Sequence, residues 1–296
     1  MNKFIRLTFA GTALLGLVIM LTGCEQLLLF NPKGPVGSAE RSLIITSIVL
    51  MLIVVIPVFI MGSWFSIRYR ASNTRSKYAP KWSYSAAIES IIWLVPVAIV
   101  TVLAYLAWSN TFGLDPYKPI SSENKPLRID VVSLDWNWLF IYPDQDIAAV
   151  NKLVFPAGVP VSFRLTSATV MTSFFIPQLG SQIYAMAGMQ TRLHLMADEP
   201  GTYIGQNQEF SGRGYADMHF QVIAASPEYF QEWVDKVKQS PDKLDLGRYE
   251  KLSKPTEGGL HLLFSSVSQG LFEHVVDTYR GWMGFEPNNS MQMESK

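Results

Sequence analysis

The chain has 296 residues, enough for one sizeable domain with accessory segments. Hydrophobic residues make up 49% and charged residues only 16%, against about 25% in soluble domains, and that deficit points to a membrane protein. Lys plus Arg and Asp plus Glu each number 24, so a net charge of zero offers no electrostatic case for nucleic acid, and that class of partner is excluded.

The chain opens "MNKFIRLTFAGTALLGLVIMLTGC". Lys3 and Arg6 form a short basic region, Leu7 to Met20 an apolar core, and Leu21, Thr22, Gly23 and Cys24 close it. This is the pattern of a secretory signal over residues 1–23, with small residues ahead of a cysteine. Leu-x-Gly-Cys resembles the bacterial lipoprotein box, in which cleavage precedes the cysteine and its sulfur is acylated. The other reading is a first transmembrane helix with a buried Cys24. The lipoprotein reading is preferred because Cys24 is the sole cysteine and stands at the one position that requires it. One acyl chain holds weakly, so it would supplement stronger anchors. With Cys24 assigned to lipid, no thiol remains for a disulfide, a thiolate metal ligand or a nucleophile.

Residues 24–114 read as a transmembrane hairpin. Leu43 to Phe65 is 23 residues without a charge and Ser90 to Leu114 is 25, each beyond the roughly 20 needed to cross a bilayer core. The expected spans are about 43–65 and 90–110. The intervening stretch carries Arg68, Arg70, Arg75, Lys77 and Lys81 and no acid, which places it in the cytoplasm. The N-terminus and everything after Leu114 then face outward, in agreement with the lipoprotein signal. Trp64, Trp82, Trp93 and Trp108 lie at or near the span ends, where interfacial aromatics gather. Two readings stay open for Glu89, at the cytoplasmic edge of the second span. It is a helix N-terminal carboxylate favoured by the macrodipole, or a proton-handling group bordering the membrane.

From Asp115 the composition becomes that of an exported domain. In "KPLRIDVVSLDWNWLFIYP", Trp136, Trp138, Phe140 and Tyr142 fall on one face at period two, and Asn137, Leu139 and Ile141 take the other. "VNKLVFP", "VPVSFRLTS", "TRLHLMA" and "DMHFQVIA" are further strand-like runs, punctuated by Gly and Pro. Short strands with such dense turn signals predict an antiparallel β-sandwich or barrel over residues 115–225. Ser226, Pro227 and Glu228 open a helix with a cap and a proline at the first position, and its apolar stripe is Tyr229, Phe230, Trp233, Val234 and Val237. The rest of the 226–296 tail is weakly patterned, with room for one more helix.

With that order in place, the motifs resemble subunit II of the haem–copper respiratory oxidases, and specifically the ubiquinol-oxidising cytochrome bo-type branch. "VVSLDWNWLFIYP", "MTSFFIPQLGSQIYAMAGMQTRLHLMADEPGTY" and "ESIIWLVP" carry the match, over about residues 20 to 240. The resemblance implies a membrane-anchored α+β chain. A two-helix transmembrane hairpin would be followed by an exported all-β cupredoxin-like sandwich and a C-terminal helical tail. In cytochrome c oxidising relatives this domain holds a dinuclear copper centre. Its ligands are a histidine on an upstream loop and a Cys-x-Glu-x-Cys-x-x-x-His-x-x-Met loop. Laid on this sequence, the upstream histidine falls at Thr172, the bridging cysteines at Asn207 and Ser211, and the second histidine at Tyr215; Glu209 and Met218 match. Both thiolates and both imidazoles are therefore replaced, and the resemblance implies a copper loop without its copper.

Met218 then reads as core, and His194 as a satisfied strand histidine. His219 neighbours Met218 but points to the opposite face; His261 and His274 lie in the weak tail. Trp136 aligns with the tryptophan that accepts electrons in the copper-bearing relatives. Without copper behind it, Trp136 reads as structural, packing the sandwich or facing the catalytic subunit. Glu209 has a second family role, offering a carboxylate to a metal at the subunit interface. The counterpart of Glu89 sits near the cytoplasmic mouth of a proton-uptake channel of subunit I.

The resemblance thus implies a non-redox subunit of a proton-pumping ubiquinol:oxygen oxidoreductase in the bacterial inner membrane. Its partners would be catalytic subunit I, small membrane subunits and lipid, with ubiquinol the substrate of the complex and no role for cytochrome c. Haem b, haem o or a related haem, and copper would belong to subunit I, and this chain would bind no metal. The rival is a freestanding lipid-anchored copper carrier using Met171, Met186, Met189 and Met218. Those sulfurs are spread among apolar runs, where methionine is usually core. A second rival, an active cytochrome c oxidase subunit with an unusual copper site, lacks the thiolates.

Overall fold

The structure is a computed structural model that describes residues 28–74, 83–256 and 259–282. The signal segment 1–23, Cys24, Trp82 and the cations Arg75, Lys77 and Lys81 lie outside the described residues. The chain divides into two compact units, residues 39–115 and the remainder.

The first unit is a helical hairpin. Helix α1 runs Pro35–Arg68 and helix α2 Ala86–Gly113, 34 and 28 residues, so the expected spans fall inside them. At 1.5 Å per residue both exceed the roughly 30 Å of a bilayer core. Nearly every side chain is exposed. Beyond the first turns of α1, half-buried positions recur at steps of four and three, Leu43, Ser47, Leu50 and Val54 on α1 and Ile99, Leu103, Leu106 and Asn110 on α2, with Ile44 beside the first of them. This is the seam of two helices facing one another, and Leu43, Ser47, Leu106 and Asn110 line one cleft between them. Polar side chains in α2 bond back along their own helix: Thr101 Oγ1 donates to the Val97 carbonyl (2.8 Å) and Asn110 Nδ2 to that of Leu106 (2.8 Å). No donor of these two is left bare to hydrocarbon. Glu89 lies in the first turn of α2, and its N–H donates to the Ser85 carbonyl at 3.0 Å.

The second unit is a β-sandwich. One sheet contains β1 (Leu127–Ser133), β2 (Trp138–Tyr142), β3 (Ile147–Val150), β5 (Val161–Ser167), β8 (Thr191–Leu195) and β11 (Leu263–Phe264), in the order β11-β3-β2-β1-β5-β8. The other contains β4 (Lys152–Pro156), β6 (Thr172–Phe175), β7 (Gln182–Ala185), β9 (Gly201–Gln206) and β10 (His219–Ala225), in the order β4-β10-β9-β6-β7. The expected antiparallel pairing is broken twice, because β1 runs parallel to β5 and β4 to β10. The cause is a change of sheet between β3 and β4. Asn151 makes that step with φ +56°, a left-handed conformation that asparagine tolerates. The chain returns to the first sheet as β5 on the far side of β1. Asn151 also repairs the ladder it interrupts, since its Oδ1 accepts from the Trp138 N–H (2.8 Å).

The run expected as one alternating strand is a hairpin. Residues 134–137 turn between β1 and β2, and Trp136 has φ +64°, so it leaves the aromatic stripe. Trp138, Phe140 and Tyr142 remain in it, packed between the sheets against Phe174 and Phe220, with the Trp138 ring 5.4 Å and 5.7 Å from theirs. Tyr142 is fully buried, which pushes its hydroxyl pKa well up, opposed by the bond its oxygen accepts from the Val154 N–H (2.9 Å). Helix α3 (Pro227–Lys238) covers the end of this core with Phe230, Trp233, Val234 and Val237; its Ser226 cap accepts from the Tyr229 N–H (3.2 Å). Tyr229, expected in that stripe, is exposed, because one turn of α3 presents only part of its circumference to the sheet.

The other face of β2 is buried as well. Leu139 and Ile141 join Val132, Ala148 and Val150 beneath α4 (Leu246–Leu252) and α5 (Leu271–Trp282), with Tyr249, Leu252, Phe272, Val275 and Val276. The tail expected to be weakly patterned therefore supplies a second core. Strand β11 crosses the boundary expected near residue 225 by pairing with β3. Arg164 on β5 clamps α5 down. It makes a double hydrogen bond with buried Asp130 (2.6 and 2.5 Å), reaches Glu273 (3.0 Å) and lies 4.6 Å over the Phe272 ring. Burial alone would lower the Arg164 pKa; the bond and charge of Asp130, with Glu273 behind them, raise it.

The segment leading into α1 is tied to this domain. Lys33 N–H donates to the Gln178 carbonyl (2.6 Å) and Gly37 N–H to that of Leu179 (3.0 Å). Gly180 there has φ +98°, and a Cβ on it would lie 2.6 Å from the Gly37 nitrogen, so the approach requires glycine.

Arg164→Ala would leave the buried Asp130 carboxylate only the longer Arg128 contact (3.6 Å) and is predicted to cost about 2–4 kcal/mol, seen as lost hydrogen-exchange protection across residues 271–282. Pairing Arg164→Met with Asp130→Leu should restore most of that protection.

Candidate functional site

The loop from Asn207 to Met218 joins β9 to β10, whose residues Gln206 and His219 are paired directly across its base. Its centre is the Asn207 side chain, which is buried. Asn207 Oδ1 accepts from the N–H of Ser173 (2.9 Å) and of Glu209 (3.0 Å), and from Ser173 Oγ (3.4 Å). Asn207 Nδ2 donates to the Glu209 carbonyl (2.7 Å), Ser211 Oγ (3.1 Å) and Met218 Sδ (3.3 Å). A carboxamide has one acceptor oxygen and two N–H donors, so this one is fully engaged. Ser211 Oγ also donates to Met218 Sδ (3.7 Å), and Gln208 N–H to Ser173 Oγ (2.7 Å). The result is a polar knot joining β6, both arms of the loop and the buried sulfur of Met218.

Of the six positions singled out by the resemblance, Asn207, Glu209, Ser211 and Met218 meet here. Thr172 is one residue out of register. It is buried, but its Oγ1 donates to Ser133 Oγ on β1 (2.7 Å), and the strand partner of the knot is its neighbour Ser173. Ser173 was missed because a lone serine in "MTSFF" carries no motif. Its one legible sign is a polar side chain within a strand otherwise buried, which requires a partner. Tyr215 stands in a single 3-10 turn, Tyr215–Asp217, with its ring 5.8 Å from the exposed Phe210 ring.

Trp136 is the lid of the loop. Its Nε1 donates to the Ser211 carbonyl (3.0 Å), and its ring covers Gly214, where a Cβ would come within 2.3 Å of it. The positive φ at Trp136 aims the ring away from the strand stripe and onto the loop.

The histidines lie elsewhere. His194 is bonded on both nitrogens, to Ser162 Oγ and to the Pro116 carbonyl, each at 3.1 Å. His219 and His261 are exposed, and His274 is on α5. Among the described residues, no group of three or more His, Cys, Asp or Glu side chains is placed to hold a metal ion. Nor do the four methionines share an environment: Met171 and Met189 are exposed, Met186 is half-buried, and Met218 is engaged in the knot.

Two membrane-length helices followed by a sandwich of this kind define a membrane-anchored, cupredoxin-like subunit. The family profile "Cytochrome C oxidase subunit II, periplasmic domain" matches residues 143–225, and "COX Aromatic Rich Motif" matches residues 238–281, the segment that builds the second core. The "Cytochrome bo(3) ubiquinol oxidase subunit 2" of Pseudomonas aeruginosa is 53% identical over 261 residues, 88% of this chain and 78% of that protein. The "Ubiquinol oxidase subunit 2" of Acetobacter aceti is 48% identical over 278 residues, 93% of this chain and 90% of that protein. The chain belongs to the family of subunit 2 of the cytochrome bo(3) ubiquinol oxidases.

Asn207→Ala would empty the knot, leaving the N–H groups of Ser173 and Glu209 without their acceptor. The expected loss is about 2–4 kcal/mol of local stability, measurable as faster amide exchange over residues 207–218 with β1 and β2 unchanged.

Proposed function

We propose that the chain is the non-redox subunit II of a proton-pumping ubiquinol:oxygen oxidoreductase in the bacterial inner membrane. In this reading it supports assembly of catalytic subunit I and borders the proton-uptake path, while haem b, haem o or a related haem, and copper reside in subunit I.

The observation that carries the reading is the saturated Asn207 carboxamide. A dinuclear copper centre needs soft thiolate bridges and imidazoles. The loop offers an amide, hydroxyls and one thioether, and the amide already spends both donors and its acceptor on protein groups. This donor set does not fit such a centre. By the resemblance, Thr172, Asn207, Ser211 and Tyr215 take the positions of its histidines and cysteines, and the Met218 sulfur accepts hydrogen bonds from Asn207 and Ser211. An electron reaching Trp136 would find no acceptor behind it, which suits a complex fed by a membrane-soluble quinol and not by cytochrome c. Glu209 keeps a carboxylate at the family's interface-metal position.

Glu89 supports the proton-uptake role by its place in the first turn of α2, beyond the apolar span. A carboxylate there is anchored by the helix N-terminus and borders the membrane. Cys24 is read as the acylated N-terminus of the mature chain.

The test is a tagged purification from detergent-solubilised membranes. The eluate should show haem b and haem o bands, take up oxygen with ubiquinol, take up none with reduced cytochrome c, and contain a chain whose mass begins at acylated Cys24. A haem-free eluate that binds copper would overturn the reading in favour of a carrier. In the purified complex, Glu89→Gln is predicted to slow turnover and pumping several-fold, most at high pH where protons are scarce. Full pumping across the pH range would remove Glu89 from the path.

A further inference from the structure

The C-terminal end of α1 carries a feature that neither the loop nor the helix seam uses. Two i,i+4 ridges run side by side there, Phe59–Ser63–Ile67 and Ile60–Trp64–Arg68. Between them Phe59, Ile60, Ser63, Trp64 and Ile67 line an open groove. Ser63 is the small residue that makes the dip. The walls are among the most exposed apolar side chains of the helix, with Phe59 73%, Trp64 63% and Ile67 67% accessible.

Such a groove follows the i±4 rows and so runs nearly along the helix axis, the direction of an acyl chain in a bilayer. Arg68 lies one turn, about 6 Å, beyond Trp64 on the same ridge. Arg70 follows it, and both arginines are exposed. A helix C-terminus is ordinarily negative, which would repel an anion. Here Asn73 caps it, its Nδ2 donating to the Arg68 carbonyl (2.6 Å) and its N–H to the Arg70 carbonyl (2.9 Å). The two guanidinium groups therefore set the sign of this end.

We propose that the Phe59–Arg70 segment of α1 is a binding site for one anionic phospholipid. An acyl chain lies in the groove over Ser63, and the phosphodiester accepts hydrogen bonds from Arg68 and Arg70. Trp64 sits between the two, where an amphipathic indole is favoured by the headgroup boundary. Arginine suits a phosphate better than lysine does, because its planar fork donates twice. The occupant is a lipid and not free phosphate, because the groove continues the cationic end into an apolar one. The inference rests on α1 crossing a membrane and is independent of the redox assignment of the loop.

The test is photo-crosslinking of the purified oxidase complex with two phospholipid probes that carry the same diazirine acyl chain. One has a phosphoglycerol headgroup, the other phosphocholine. Labelling of the peptide spanning Phe59 to Arg70 should favour the anionic probe about tenfold, the preference two interfacial arginines confer after screening. The double substitution Arg68→Gln, Arg70→Gln should bring that ratio to about one with phosphocholine labelling retained, and Ser63→Trp should lower labelling by both probes. Equal labelling by the two probes in the unaltered complex would overturn the proposal, as would a preference that survives loss of both arginines. If excess inorganic phosphate abolishes the preference without reducing total labelling, the arginines hold a free anion, and the lipid assignment fails.

Discussion

Strand β2 is buried on both faces, and most of the extramembrane architecture follows from that constraint. Trp138, Phe140 and Tyr142 close the space between the sheets, while Leu139 and Ile141 require a second cover on the outer face. A sandwich of two sheets can bury only one face of each, so the chain must return after α3 to shield the other. Helices α4 and α5 and strand β11 do so, held by the Arg164 clamp and by a buried amide network. In that network Asn151 Nδ2 donates to Asn137 Oδ1 (2.7 Å) and to the Leu260 carbonyl (3.0 Å), and Asn137 Nδ2 to Thr256 Oγ1 (2.9 Å). The same residues fix the turn before β2, and that turn directs Trp136 at the loop. Tail, turn and loop are thus one connected system.

The loop is held by a different kind of bond from the one its frame suggests. Hydrogen bonds of a single side chain, Asn207, order it. One carboxamide reaches β6 through Ser173, both arms of the loop through Glu209 and Ser211, and the core through Met218. Trp136 seals the assembly from the other side.

The helical hairpin obeys another economy. Its mutual seam uses a repeating row of positions on each helix, and most other side chains of both spans are exposed. In an apolar medium those faces gain nothing by avoiding solvent, so packing partners and lipid compete for them on shape and charge. Small residues and terminal cations then acquire the meaning that buried aromatics have in the sandwich.

The sequence alone determined whatever depends on local composition and period. Runs longer than a bilayer core mark the two helices, because hydrocarbon admits few alternatives. The Ser226 and Pro227 cap marks the start of α3. The polar residues Asn207 and Ser211 of the loop were legible as residue types, since side-chain chemistry is read directly from sequence. The tertiary structure decided what depends on distant neighbours. Trp136 left its stripe because of a turn that Asn137 and Asn151 hold across 14 residues of sequence, and no local pattern records that bond. Ser173, rather than Thr172, joined the knot because strand register selects which of two adjacent side chains faces the loop. The tail became a second core because the outer face of β2 had to be covered, and that demand exists only after the sheets have assembled.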